Sequence, residues 1–269
     1  MPNEPVVEAL EAVWDSIIEL GSGLTEDQWN TQTCLPGWSV KDNISHLIGT
    51  ERTLAGFPPE EVDQPHPDYV KNGIGEFNEA SVALRRSTPG AEVIQEFAEI
   101  AQVRLAALRA MSDDEMNIEG WTPIGPGPYR MFMEVRVFDC WFHEQDIREA
   151  LGIEGHRQGV AADFAYQRTV ASFPYVVGKR AGVPKGTTVA LTLSGDWERD
   201  VYVQVDDKAV LTEVAPPAPT VVLSCDAYAF GRLTGGRWAK DSEPATSAFT
   251  VQGDEQVARA IIDALDVVM

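Results

Sequence analysis

Glu134-Val-Arg-Val-Phe-Asp139-Cys-Trp-Phe-His143-Glu-Gln-Asp146-Ile-Arg-Glu-Ala-Leu-Gly152 reads as a long apolar helix with one narrow polar seam. At about 100° per residue, Asp139 and His143 lie about 40° apart and Arg136 falls about 20° from His143. Asp146 lies about 60° from His143, on the side of Asp139. Phe132, Cys140, Ile147 and Ala150 border the seam, and Val135, Val137, Phe138, Trp141 and Phe142 fill the rest of the circumference. A helix that is apolar nearly all round is a buried helix. Buried carboxylates and imidazoles are costly unless they pair or hold a metal. The seam is therefore either a closed ion-pair network or half of a metal site.

Working outward, the first half of the chain reads as helical. An amphipathic stripe runs over about 4–21 and stops at Gly21. Thr25-Glu-Asp-Gln28 has the form of a capping box. Pro36-Gly37 breaks the chain, and Ser39 with Asp42 three residues on marks the start of a second helix that runs to about Ala55. A proline-rich loop follows, and helical patterning returns at 75–86 and 91–111, with an interruption at Thr88-Pro-Gly90. A Gly/Pro loop, 123–128, leads into the seam helix. These are four long helices with loops able to bundle them, one of the four interrupted. Beyond about 155 the character changes. One helix (159–181) precedes strand-like runs at 187–193, 201–205, 220–224 and 248–251, and a last helix spans 255–267. The expected fold class is an α-helical four-helix bundle, 1–155, followed by a smaller α+β domain, 156–269.

Composition limits the function. A chain of 269 residues with formal charge −21 is a poor partner for nucleic acid or anionic membrane, since phosphate contacts need clustered Lys and Arg. No apolar run reaches the length of a membrane span, and the first residues, Met1-Pro-Asn-Glu-Pro, lack a secretory pattern. Three cysteines, Cys34, Cys140 and Cys225, form an odd, sparse set that fits a reducing cytoplasm. Cys140, beside the seam, reads as a small buried hydrophobe rather than a catalytic thiol. The expected partners are small molecules, and monomer and homodimer both stay open.

An Asp-x-x-x-His pair offers one oxygen and one nitrogen to a point beside a helix, which suits a divalent ion such as Zn²⁺. His46, on the second helix, is the candidate third ligand. Its own periodicity is mixed. The stripe Val40, Ile44, Leu47 and Leu54 is centred roughly 120° away, which read alone makes His46 solvent-facing. A polar cavity between the helices would turn it toward the seam instead. Three protein ligands leave positions open for water or substrate, as catalytic sites do. Asp146 would orient a ligand or act as a base. His66 and His156 read as ordinary surface residues in loops.

Two of these stretches together carry a resemblance. Leu35-Pro-Gly-Trp-Ser-Val-Lys-Asp-Asn-Ile-Ser-His46-Leu resembles the opening motif of the mycothiol-dependent maleylpyruvate isomerase family, part of the wider DinB-like superfamily. The stretch from Arg136 to Gly152 resembles that family's last bundle helix, in which a Glu, three residues, a His and then an Asp are usual. The segments Asp226-Ala-Tyr-Ala-Phe-Gly-Arg232-Leu-Thr-Gly-Gly-Arg237 and Val251-Gln-Gly-Asp254 look like its sterol-carrier-like C-terminal domain. The resemblance implies that His46, Asp139 and His143 bind a divalent metal, usually zinc, and that the metal holds mycothiol as its thiolate. The thiolate would add to a small electrophile, giving isomerisation or thiol transfer. One position departs from the pattern: Asp139 stands where the family has Glu, one methylene longer. Arg136 and Trp38 are candidates to line the thiol pocket. Arg232 and Arg237 are candidates to clamp a carboxylate substrate or the thiol, at a site expected at one end of the bundle under the second domain. Two other readings compete. One is metal-dependent hydrolysis with Asp146 as general base. The other is a non-catalytic small-ligand-binding protein whose seam is structural.

Overall fold

Helices begin here where a proline or a capping side chain permits it. In the computed structural model, which describes residues 4–63 and 67–267, Pro5 opens α1 (Pro5–Ser22), which buries Val6, Leu10, Val13, Trp14 and Ile17. Thr25 and Gln28 close a full capping box on the short α2 (Glu26–Trp29). Ser39 and Asp42 do the same for α3 (Val40–Leu54), each side chain answering the other's backbone N–H. Then come α4 (Gly73–Arg85), α5 (Gly90–Ala110) and a one-turn α6 (Asp113–Met116). A two-residue ladder, β1 (Glu119–Gly120) with β2 (Gly127–Pro128), precedes α7 (Tyr129–Leu151), the seam helix. Gly152 ends α7 in the left-handed conformation, φ 65°.

The helices α1, α5, α3 and α7 form a ring in which each lies against the next, and α4 packs on α3. The patterning at 75–111 therefore resolves into two helices rather than one interrupted helix. Pro89 has no N–H to donate and takes an extended ψ of 141°, which separates α4 from α5. The bundle core includes Trp14, Phe97, Val137, Cys140 and Phe142.

The chain divides into two compact units, 1–156 and 157–269. The second starts with α8 (Val160–Tyr175), which passes into a π-helical turn at 176–180 rather than continuing as one helix, because Pro174 removes a backbone donor in its last turn. Five strands follow: β3 (Thr188–Ser194), β4 (Arg199–Val205), β5 (Ala209–Thr212), β6 (Val221–Asp226) and β7 (Phe249–Gly253). The sheet order is β5-β4-β3-β6-β7, antiparallel except for β3 beside β6. Leu191 pairs with Val201 on one side and Leu223 on the other. These residues belong to the buried face, with Val189, Leu193, Val203, Val205, Val221 and Cys225. Helices α9 (Ala227–Thr234), α10 (Glu243–Thr246) and α11 (Glu255–Asp263) complete the unit. Three features go beyond the sequence expectation. Strand β5 is short and largely exposed. Helix α9 is buried on every side and has no polar face to report its period. Helix α11 stops at Asp263, and the chain runs on as non-helical backbone to Val267, whose N–H donates to Thr234 O at 3.0 Å.

Candidate metal centre

Helices α3 and α7 run antiparallel, and paired side chains mark the alignment. Asn43 meets His143, His46 meets Asp139, and Glu51 meets Arg136. The ligand atoms of His46, Asp139 and His143 lie within 4.8 Å of one another, the one such grouping of three or more His, Cys, Asp or Glu among the described residues. His46 Nε2 stands 3.2 Å from Asp139 Oδ2, and His143 Nε2 stands 3.6 Å from Asp139 Oδ1. The rings of the two histidines are 4.8 Å apart. Both imidazoles are buried, 5% and 8% exposed, while the Asp139 side chain keeps 29%. The cluster is thus open on its carboxylate side.

Neighbouring groups fix each ligand. His143 Nδ1 lies 2.7 Å from Asn43 Oδ1, so the neutral ring donates from Nδ1 and keeps the Nε2 lone pair facing Asp139. Asp146, with no exposed surface, lies 3.5 Å from the same Nδ1, on the far side of the ring from Nε2. The Cys34 thiol donates to its other oxygen at 3.3 Å. Arg136 Nη1 donates to Asp139 Oδ2 at 2.6 Å and its Nε to Glu51 Oε1 at 2.9 Å. Arg104 Nε completes the chain on Glu51 Oε2 at 3.0 Å. Trp38 covers the two imidazoles, its ring 5.4 Å from His46 and 5.9 Å from His143. Its Nε1 donates to the buried Glu79 at 3.1 Å.

The protonation states follow. Burial opposes charge on Asp139, but Arg136 and the two imidazoles outweigh it and hold the carboxyl well below the usual range. Burial also opposes a proton on His143, yet Asp139 and Asp146 raise its pKa above the ordinary imidazole value. Burial prevails at His46, whose pKa is lowered.

Several expectations change on this geometry. His46 is buried rather than solvent-facing. Its side of α3 faces α7 and Trp38, while α4 packs elsewhere on α3, so an apolar stripe on one side of that helix did not imply water on the other. The guanidinium of Arg136 is engaged by Glu51 and Asp139, and Nη2 lies 3.6 Å from Cys140 Sγ, so it faces protein rather than an open thiol pocket. The buried position of Asp146, behind His143, suits an orienting group better than a base. Arg232 belongs to α9 with 1% exposure, its guanidinium 5.8 Å from the Tyr228 ring. Arg237 follows α9 and donates to Gly235 O at 2.9 Å. His156 is in a loop, with φ 52°, but it is no ordinary surface residue: Nδ1 lies 2.5 Å from the buried Glu144. His66 lies outside the described residues. Cys140 is buried, accepts from Trp14 Nε1 at 3.3 Å, and its thiol is pushed up to about 12 by burial. Asn43, Glu51, Arg104 and Glu79 were not foreseen. One signal bore on Glu51 alone: a buried Arg136 on an apolar helix needs a carboxylate partner, though not one the sequence could single out.

The donor set fits a divalent cation. Two imidazoles and a carboxylate are the ligands of a borderline-soft ion such as zinc. Among the described residues, His46 Nδ1 is a buried nitrogen without a hydrogen-bond partner, so no hydrogen bond there fixes the tautomer of that ring.

Comparison with known proteins bears on the fold and the family. Two solved structures share the fold: that of a mycothiol-dependent maleylpyruvate isomerase, at TM-score 0.59 and 16% identity, and that of a histidine-to-alanine mutant of the mycothiol-dependent maleylpyruvate isomerase, at 0.58 and 15%. Each comparison covers 94% of this chain and 93% of the other. Two curated relatives are uncharacterised proteins from two strains of Mycobacterium tuberculosis, CDC 1551 and H37Rv, 25% identical over 151 residues. That match takes in 55% of this chain and 57% of theirs, so the chain spans little more than half the length of the curated relatives it matches. Residues 10–148, which hold α3, most of α7 and the whole His-Asp-His cluster, match the family model described as the mycothiol maleylpyruvate isomerase N-terminal domain, and the chain belongs to that family.

Proposed function

We propose that this chain is a metal-dependent enzyme that uses mycothiol, a low-molecular-weight thiol, to isomerise a small electrophilic substrate of the maleylpyruvate kind or to transfer the thiol to it. The observation that carries the reading is the convergence of His46, Asp139 and His143 from two helices in a chain of this family. A zinc ion held there would keep a coordinating thiol deprotonated at neutral pH.

The surrounding residues have distinct tasks. Asn43 and Asp146 orient the His143 ring. Arg136 holds one oxygen of Asp139. Trp38, anchored by Glu79, shields the imidazoles from water. The partly exposed Asp139 side is the entrance for thiol and substrate.

The test is turnover of maleylpyruvate by zinc-loaded protein with and without mycothiol. Turnover that requires the thiol, and disappears in His143→Ala, is the expected result. Turnover indifferent to thiol would replace this reading with metal-dependent hydrolysis.

A further inference from the structure

The buried charges around the cluster do not cancel. Glu51 has no exposed surface and is shared by two guanidinium groups, Arg104 at 3.0 Å and Arg136 at 2.9 Å. Arg136 is in turn shared with Asp139 at 2.6 Å. Asp146, fully buried, lies against His143 at 3.5 Å. With both imidazoles neutral, three carboxylates face two guanidinium groups and leave one negative charge. A divalent cation turns this into one positive charge in excess. Excess charge on a largely buried centre is costly, and a single monoanion entering at the open Asp139 side removes it. Arg136 also occupies Oδ2 of Asp139, so this carboxylate is poorly placed to neutralise the ion with both oxygens.

We propose that Arg136, with Glu51 behind it, sets the charge of the loaded centre so that its exogenous ligand is a monoanion, a thiolate or a carboxylate, rather than a neutral molecule. This rests on the metal reading above and adds a selectivity that the three ligands alone do not specify. The two side chains act with opposite sign. Neutralising Arg136 strengthens the hold on the cation and weakens the hold on an anion. Neutralising Glu51 does the reverse. A purely structural role would weaken both kinds of binding in both variants.

The experiment loads full-length protein with Co²⁺ and titrates it with 2-mercaptoethanol, acetate and, as a neutral control, imidazole, reading the visible absorption of the ion. Arg136→Gln is expected to bind Co²⁺ at least as tightly as the parent and the two anions on the order of tenfold more weakly, with imidazole unchanged. Arg136→Lys keeps the charge and restores most of the anion affinity. Glu51→Gln binds Co²⁺ more weakly and the anions more tightly; if it does not fold, the two Arg136 variants decide the matter. Anion affinity that is unchanged in Arg136→Gln, or that falls in both Arg136→Gln and Glu51→Gln, overturns the proposal and leaves the metal reading standing. A parent protein that takes up no Co²⁺ overturns both.

Discussion

His143 and Asn43 show how one hydrogen bond decides what a side chain can do. The 2.7 Å contact at Nδ1 sets the tautomer and leaves Nε2 free to coordinate. Asn43→Ala should therefore weaken zinc binding by about 10–100-fold while leaving the fold intact, measured by competition with a chelating dye. Protons compete with the metal for the same nitrogen. Because His143 holds its proton above the ordinary imidazole range, and His46 does not, metal affinity should rise with pH through that range and beyond it. The slope should be about tenfold per unit for one displaced proton. A pH-independent affinity would mean that His143 is not a ligand. The cysteines separate by environment. Cys140 and Cys225 are buried, each thiol raised to about 12, while Cys34 is exposed. A disulfide reagent should titrate one thiol per native chain, lost in Cys34→Ser, and three after unfolding.

Among the elements, α3 and α7 were not equally legible. The polar seam of α7 stood out because everything around it is apolar, and its pairing of Asp139 with His143 could be read from spacing alone. Helix α3 hid its part. Polar and charged residues surround it, and nearly all of them from Val40 to Gly49 are buried, so no periodicity separated the side facing α7 from the side under α4. Glu51 and Asn43 could not be assigned without knowing which helices adjoin. Helix α9 was missed for the opposite reason, having no exposed face at all. Close packing of α3 on α4 gives a direct check. A Cβ at Gly49 would fall 1.7 Å from Ser81 Oγ. Gly49→Ala should cost about 1–3 kcal/mol in thermal unfolding, and Gly49→Ala combined with Ser81→Gly should recover most of it. On α7, Glu144 is buried and holds both Arg148, at 2.7 Å, and His156, at 2.5 Å. Glu144→Ala should destabilise the protein by about 3–5 kcal/mol, because it strands a largely buried guanidinium.

At the scale of the whole molecule, the change from helical to mixed patterning was visible in the sequence. A 3.6-residue apolar period gives way to alternation once strands bury only one face. The strand missed, β5, is an exposed edge whose side chains do not alternate between inside and outside. The charge of −21 argued against nucleic-acid partners but said nothing about the centre, where buried carboxylates outnumber the guanidinium groups they meet. Among the described residues no helix is long and apolar enough to cross a membrane. The account as a whole stands on one cation bound by two helices of the bundle. Elemental analysis of zinc-incubated, gel-filtered protein tests this most directly. It should find one zinc per chain in the parent and none in His46→Ala or His143→Ala; a parent chain that keeps no zinc, or variants that keep as much as the parent, would contradict it.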